Sequence, residues 1–203
     1  MITKWEVLFY SAIFYGAIFV VGKQIFDFLF SGFAPFFVSR PWVIEKLLSE
    51  ISKEGIQPGD CFVSIGSGRS GLLHALEKKY PNGKYIGVED SFWSTLISRT
   101  QVFLKRSKIK VLHQELFRVD VSEADLIYCK LDLKKLRELE KKFKFECKSG
   151  ALILSNGFVI PNMNSKKEII LEEKKARFSA LAFEFKSKMK KSKKENKVYV
   201  YEV

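Results

Sequence analysis

The stretch Phe62 to Gly71, FVSIGSGRSG, limits what this chain can fold into more than any other part of it. An apolar β-type run stops at glycine, Gly66, Gly68 and Gly71 follow at GxGxxG spacing, and an apolar helical pattern then begins. Glycine carries no Cβ and accepts positive φ, so the strand can open into a tight turn where a ligand lies against bare backbone at a helix N-terminus. Glu89 lies eighteen positions past Gly71, at the end of the next strand-like run. An acid so placed suits ribose hydroxyls, and the pair points to a nucleoside-containing cofactor.

Around this turn, strand and helix patterns alternate. Strands are expected at Phe62–Ile65, Tyr85–Val88, Ile109–Leu112, Ala124–Cys129 and Ala151–Leu154, with helices at Ser70–Lys79, Trp93–Arg106 and Leu133–Phe143. An amphipathic helix carrying Trp42, Val43, Leu47, Leu48 and Ile51 leads into the first strand through GIQPGD. Such alternation implies a parallel sheet covered by helices, with its ligand at the carboxyl ends of the strands. The end of the chain breaks the rhythm. Ala180–Phe185 and Val198–Val203 both alternate apolar and polar with no helix between them, so they are expected to close the sheet as an antiparallel hairpin.

At 203 residues and 47% hydrophobic, the chain suffices for one core and a short appendage. The appendage is residues 1–31, and the domain is 32–203. Between Glu6 and Lys23 run sixteen uncharged residues, VLFYSAIFYGAIFVVG, just short of the roughly twenty needed to span a bilayer. A membrane anchor, tilted through the bilayer or lying at its interface, is expected, with Trp5 and Tyr10 at headgroup level. The alternatives are a buried first helix and a signal peptide, and no small-x-small cleavage site follows the run. Lys23, Arg40 and the basic domain behind them would then keep that domain on the cytoplasmic side.

The net charge is +12, and half of it comes from one segment, KSKMKKSKKENK, between the two terminal strands. That loop suits an acidic lipid or nucleic-acid surface, or is simply a solvated face. Cys61, Cys129 and Cys147 show no CxxC spacing, and His74 and His113 stand apart from them, so neither a disulfide framework nor a metal site is expected.

GxGxxG alone fits a dinucleotide, and an NAD-type reductase is one reading of it. The chain order favours another. Five alternating strands ending in a hairpin resemble the Rossmann-like, seven-stranded sheet of class I S-adenosylmethionine (SAM) methyltransferases. An apolar N-terminus, APFFVSRPWVIEKLL, the glycine turn, YIGVED, HQELFRVDVSEADLIYC and GALILSNGFVIP are together similar to a narrower family. This family is the small membrane-anchored lysine methyltransferases of adenine nucleotide translocase and ATP synthase subunit c, with their bacterial relatives.

The resemblance implies SAM as cofactor and a protein lysine, with a membrane protein among the candidate substrates, as acceptor. It implies cofactor contacts from Ser64, Gly66, Ser67 and Gly68, from Glu89 and Asp90, and from Glu115 and Leu116 beside adenine. Glu115 is equally well read as a surface charge. The chain departs from the family turn at Ser64 and Arg69, where that turn has acids, and at Asp90, where it has asparagine. A degenerate module that binds a membrane, protein or nucleic acid through the lysine loop is therefore the alternative to an enzyme. No catalytic residue is assigned. Asp125, Tyr128 and Asp132 near the fourth strand, and Asn156 after the fifth, are the groups available to handle an acceptor amine and its proton.

Overall fold

The computed structural model describes residues 4–26, 41–66, 68, 70–171 and 197–203. Its elements are α1 (Lys4–Phe26), α2 (Pro41–Ile51), β1 (Cys61–Ile65), α3 (Gly71–Lys79), β2 (Lys84–Glu89), α4 (Phe92–Leu104), β3 (Lys110–His113), a 3₁₀ turn (Leu116–Arg118), β4 (Leu126–Cys129), α5 (Leu133–Glu146), β5 (Leu152–Asn156), β6 (Lys167–Ile170) and β7 (Lys197–Glu202). The seven strands form one sheet in the order 3-2-1-4-5-7-6, in which β1 to β5 are parallel and β7 runs antiparallel between β5 and β6. This is the class I methyltransferase sheet that the strand order implied.

β1 shows why the chain settles this way. CFVSI is buried at every position, as a central parallel strand covered on both faces must be. Its alternate side chains enter two different cores. Phe62 joins Leu47 of α2, Leu72, Leu73 and Leu76 of α3, and Tyr128, Leu154 and Val200 of the sheet. Cys61, Val63 and Ile65 join Leu136, Leu139 and Phe143, which recur along one side of α5 at helical spacing. Phe62 stacks on Tyr85 with ring centroids 5.1 Å apart and planes 6° from parallel, and the Tyr85 hydroxyl donates to the carbonyls of Leu76 and Tyr80.

Two expectations are corrected. The strand seated against β7 is Lys167–Ile170, earlier than expected, while Ala180–Phe185 lies outside the described residues. Of its four residues only Ile169 is buried, so the alternation that marks a strand in sequence is scarcely present. The second concerns the membrane-spanning form of the anchor. α1 is helical and apolar on all sides, with Phe9, Tyr10, Ile13, Phe14, Tyr15, Ile18 and Phe19 exposed, but among the described residues no helix is long and apolar enough to cross a membrane.

Candidate active site

The carboxyl ends of β1, β2 and β4 converge on the glycine turn. Gly66 and Gly68 have left-handed backbones, with φ of +67° and +57°, which L side chains adopt only at a cost. The Gly66 N–H donates to the Val88 carbonyl at 2.9 Å, which ties the turn to the end of β2. A Cβ on Gly66 would come within 2.6 Å of the Leu131 side chain, whereas one on Gly68 would meet nothing within 4 Å. The turn is therefore packed beneath Gly66 and open over Gly68. Ser70, also left-handed, leads into α3, and Gly71 lies against Ile44 of α2.

Glu89 is 5% exposed at the end of β2, and its Oε1 accepts the Gly68 N–H. Bringing a carboxylate into this setting is tolerable because charge-assisted bonds offset its lost hydration. The Ser98 hydroxyl of α4 donates to the Gly68 carbonyl, so Gly68 is held from both sides. The Gln114 N–H donates to the Glu89 carbonyl at 3.1 Å, and Thr95 Oγ1 lies 3.2 Å from His113 Nδ1. This network ties the ends of β2 and β3 to α4.

Other residues named from the sequence are distributed as follows. Asp90 forms an ion pair at 2.7 Å with Lys135, linking the end of β2 to the first turn of α5, which follows β4 on the other side of β1. That hydrogen bond holds the Lys135 ammonium above the usual lysine range. Ser64 is 2% exposed within β1, Leu116 is buried in the α5-side core, and Glu115 is exposed and paired with Arg118 at 2.9 Å. Ser67 and Arg69 lie outside the described residues.

Of the groups considered for the acceptor amine, Asp125 is misplaced. It precedes β4, at the end of the strand opposite the glycine turn, and holds the Cys61 N–H at 2.8 Å and Lys148 at 2.6 Å. Asp132 caps α5 by accepting the Lys135 N–H at 2.9 Å. Tyr128 and Asn156 do come together: the Asn156 amide donates to the Tyr128 hydroxyl at 2.7 Å, both buried at the carboxyl ends of β4 and β5. The cysteines are poor nucleophiles, since burial pushes the Cys129 thiol up to about 12 and Cys147 to about 11.

Ser98, Thr95, Lys135 and Leu131 were not legible as site residues. Ser98 had one signal, the polar series Thr95, Ser98, Gln101 at three-residue spacing along α4, which is the buried side of that helix.

With the geometry in place, the comparison with known families is decisive. A model of the ANTKMT methyltransferase domain matches residues 64–167, just over half of the chain, from β1 to the start of β6. The chain belongs to this family. A search of curated proteins returned no match. Among solved structures, an RNA methyltransferase from Salinibacter ruber in complex with S-adenosyl-L-homocysteine superposes with a TM-score of 0.65 at 14% identity, over 82% of this chain and 94% of that one. An S-adenosylmethionine-dependent methyltransferase from Clostridium acetobutylicum gives a TM-score of 0.50 at 14% identity, over 77% and 65% of the two chains. A putative sarcosine dimethylglycine methyltransferase from Galdieria sulphuraria gives 0.49 at 15%, and only 45% of that chain is covered.

The protein is thus a class I, SAM-dependent methyltransferase of the ANTKMT family, which implies a protein substrate. Its own residues fit the cofactor: open space above a left-handed Gly68, and a buried Glu89 at the end of β2.

Proposed function

We propose that this methyltransferase modifies a lysine side chain of a protein substrate and works at a membrane surface, with its catalytic domain on the cytoplasmic side. The observation that carries the reading is Glu89, a buried carboxylate closing on the Gly68 N–H in a turn of the ANTKMT family. Exposed apolar residues on every side of α1 support membrane attachment, the net charge of +12 supports an acidic-lipid surface, and Lys23 and Arg40 after the apolar run support the cytoplasmic side.

SAM supplies an activated methyl group and its own leaving group, so the protein's task is to bind, orient and exclude water. Gly66 and Gly68 leave bare backbone at their own positions in the turn, and Glu89, alongside Asp90, is the acid for ribose hydroxyls. The Tyr128–Asn156 pair presents polar atoms from β4 and β5 on one side of the cleft, where an amine can be oriented. An acceptor lysine must arrive neutral, and the proton it loses goes to water, for which the Tyr128 hydroxyl beside Asn156 is a hydrogen-bond partner.

Titration with S-adenosylhomocysteine, followed by mass analysis of membrane proteins incubated with SAM and the enzyme, tests this. Binding together with added methyl mass on lysine supports it. Binding without transfer to any lysine would favour the non-catalytic module, for which Asp90 engaged by Lys135 is the motivating contact. Absence of binding at millimolar ligand would sink both.

A further inference from the structure

α4 is turned inside out for a helix that covers a sheet. Its buried positions are Thr95, Ser98 and Gln101, all polar. Phe92, Trp93, Leu96, Phe103 and Leu104 face solvent instead, with Trp93 69% and Phe103 81% exposed. With 3.6 residues per turn these five fall on one continuous arc, opposite Gln101 and Ser98 and bordered by Arg99. The inward side is anchored by hydrogen bonds: Ser98 donates to the Gly68 carbonyl, and Thr95, whose hydroxyl also bonds the Ser91 carbonyl of the helix's own first turn at 2.9 Å, lies 3.2 Å from His113 Nδ1. Of the arc, Phe92 touches the body, edge-on against His113, and a contiguous exposed apolar patch of this kind marks an interaction site.

The charges around the patch select the partner. From Ser91 to Gln114 the chain carries Arg99, Lys105, Arg106, Lys108 and Lys110 and no acid. Glu77, which approaches from α3, is engaged by the Ser107 hydroxyl and the Lys108 N–H. Beside the end of α4 opens a shallow cavity of about 590 Å³ lined by Arg99 and Arg106 together with Val102, Phe103 and Ile109. Aromatic and aliphatic side chains flanked by Arg99 and Arg106, with a tryptophan among them, suit the headgroup boundary of an anionic bilayer.

We propose that the outward face of α4, with the Arg99–Arg106 cavity, docks the domain on an anionic lipid bilayer. α4 starts three residues after Glu89, so this contact holds the cofactor cleft close to the headgroups. The inference rests on the membrane association proposed above for its choice of partner, and adds a second attachment separate from α1.

The test uses the full chain with Trp5→Phe and Trp42→Phe, which leaves Trp93 as the sole tryptophan. On phosphatidylcholine vesicles containing phosphatidylserine, Trp93 emission should shift to shorter wavelength and be quenched by brominated acyl chains. Arg106→Gln should weaken partitioning about fivefold. Phe103→Ser should reduce the quenching while leaving the thermal midpoint in place. Vesicle binding with Trp93 unquenched would overturn this inference and leave attachment through α1 standing, whereas no vesicle binding would sink both. A concentration-dependent Trp93 shift without lipid, accompanied by a dimer in sedimentation velocity, would assign the face to a second copy and overturn it too.

Discussion

Replacing Gly68 with alanine should separate the turn's role in binding from its role in folding, because Gly66 two residues earlier serves as its control. At Gly68 the new methyl meets nothing in the protein within 4 Å, and the backbone N–H donated to Glu89 is retained. The folding cost is then only that of a left-handed L residue, about 1–2 kcal/mol. At Gly66 the same backbone cost is joined by a Cβ 2.6 Å from Leu131, and overpacking of that kind adds about 1–3 kcal/mol. Gly66→Ala should therefore lose about 2–5 kcal/mol in urea unfolding, a large part of the about 5–15 kcal/mol typical of a domain. Gly68→Ala should remain folded. If cofactor lies against the bare Gly68 backbone, its affinity for S-adenosylhomocysteine by calorimetry should fall about tenfold or more, equivalent to about 1.4 kcal/mol. A Gly68→Ala protein that binds as tightly as the parent would refute the reasoning, since the open space over Gly68 would then not be where the ligand sits.

Three further outcomes follow from contacts already described. Ser98→Ala removes the hydroxyl that holds the Gly68 carbonyl, and should weaken S-adenosylhomocysteine binding about fivefold, the equivalent of about 1 kcal/mol for one hydrogen bond, as measured by calorimetry. His74 is mostly buried beside Lys105, and burial first, then that charge, holds its imidazole down at about 4 from an ordinary 6.5. The unfolded chain then binds the proton first, so His74 should cost stability as pH falls from 6.5 to 4, by up to about 3 kcal/mol, and His74→Leu should flatten that slope in urea midpoints. Glu50 is held down at about 2 by hydrogen bonds from Lys167 and Lys53, so its contribution is complete above about 4.5 and is lost as pH falls toward 2. Glu50→Gln should lower neutral-pH stability by about 1–3 kcal/mol and matter less at the acid end, checked by thermal unfolding across pH.

The parts of the fold read well in advance are those where burial and period agree. β1, β2, β4 and β5 are short apolar runs between turn residues, and the glycine spacing with Glu89 marks the site because the backbone itself demands those residues. What escaped is of three kinds. Lys167–Ile170 is a strand held by its neighbours rather than by its own pattern. Asp125 and Tyr128 are three residues apart, yet lie toward opposite ends of β4, one structural and one at the cleft, and no propensity distinguishes them at that scale. The Asp90–Lys135 and Asn156–Tyr128 pairs join residues 45 and 28 positions apart, which only the parallel crossovers bring together.

α4 departs from the usual relation between periodicity and burial. Its periodicity correctly gives a helix, but the rule that the apolar side faces inward gives the wrong side. That rule holds when a helix is attached by burying hydrocarbon; α4 is attached largely through hydroxyls, Ser98 on the Gly68 carbonyl and Thr95 beside His113 Nδ1. Buried polar groups are costly unless satisfied, so the inward side of α4 is stable only while the glycine turn is in place to receive Ser98. The turn and the helix thus define each other. The aromatic surface on the other side contributes nothing to that arrangement, which leaves it free to be shaped by whatever the domain rests against. A helix whose inner side holds the cofactor turn and whose outer side is apolar and cationic places cofactor binding and surface contact on the two faces of one element.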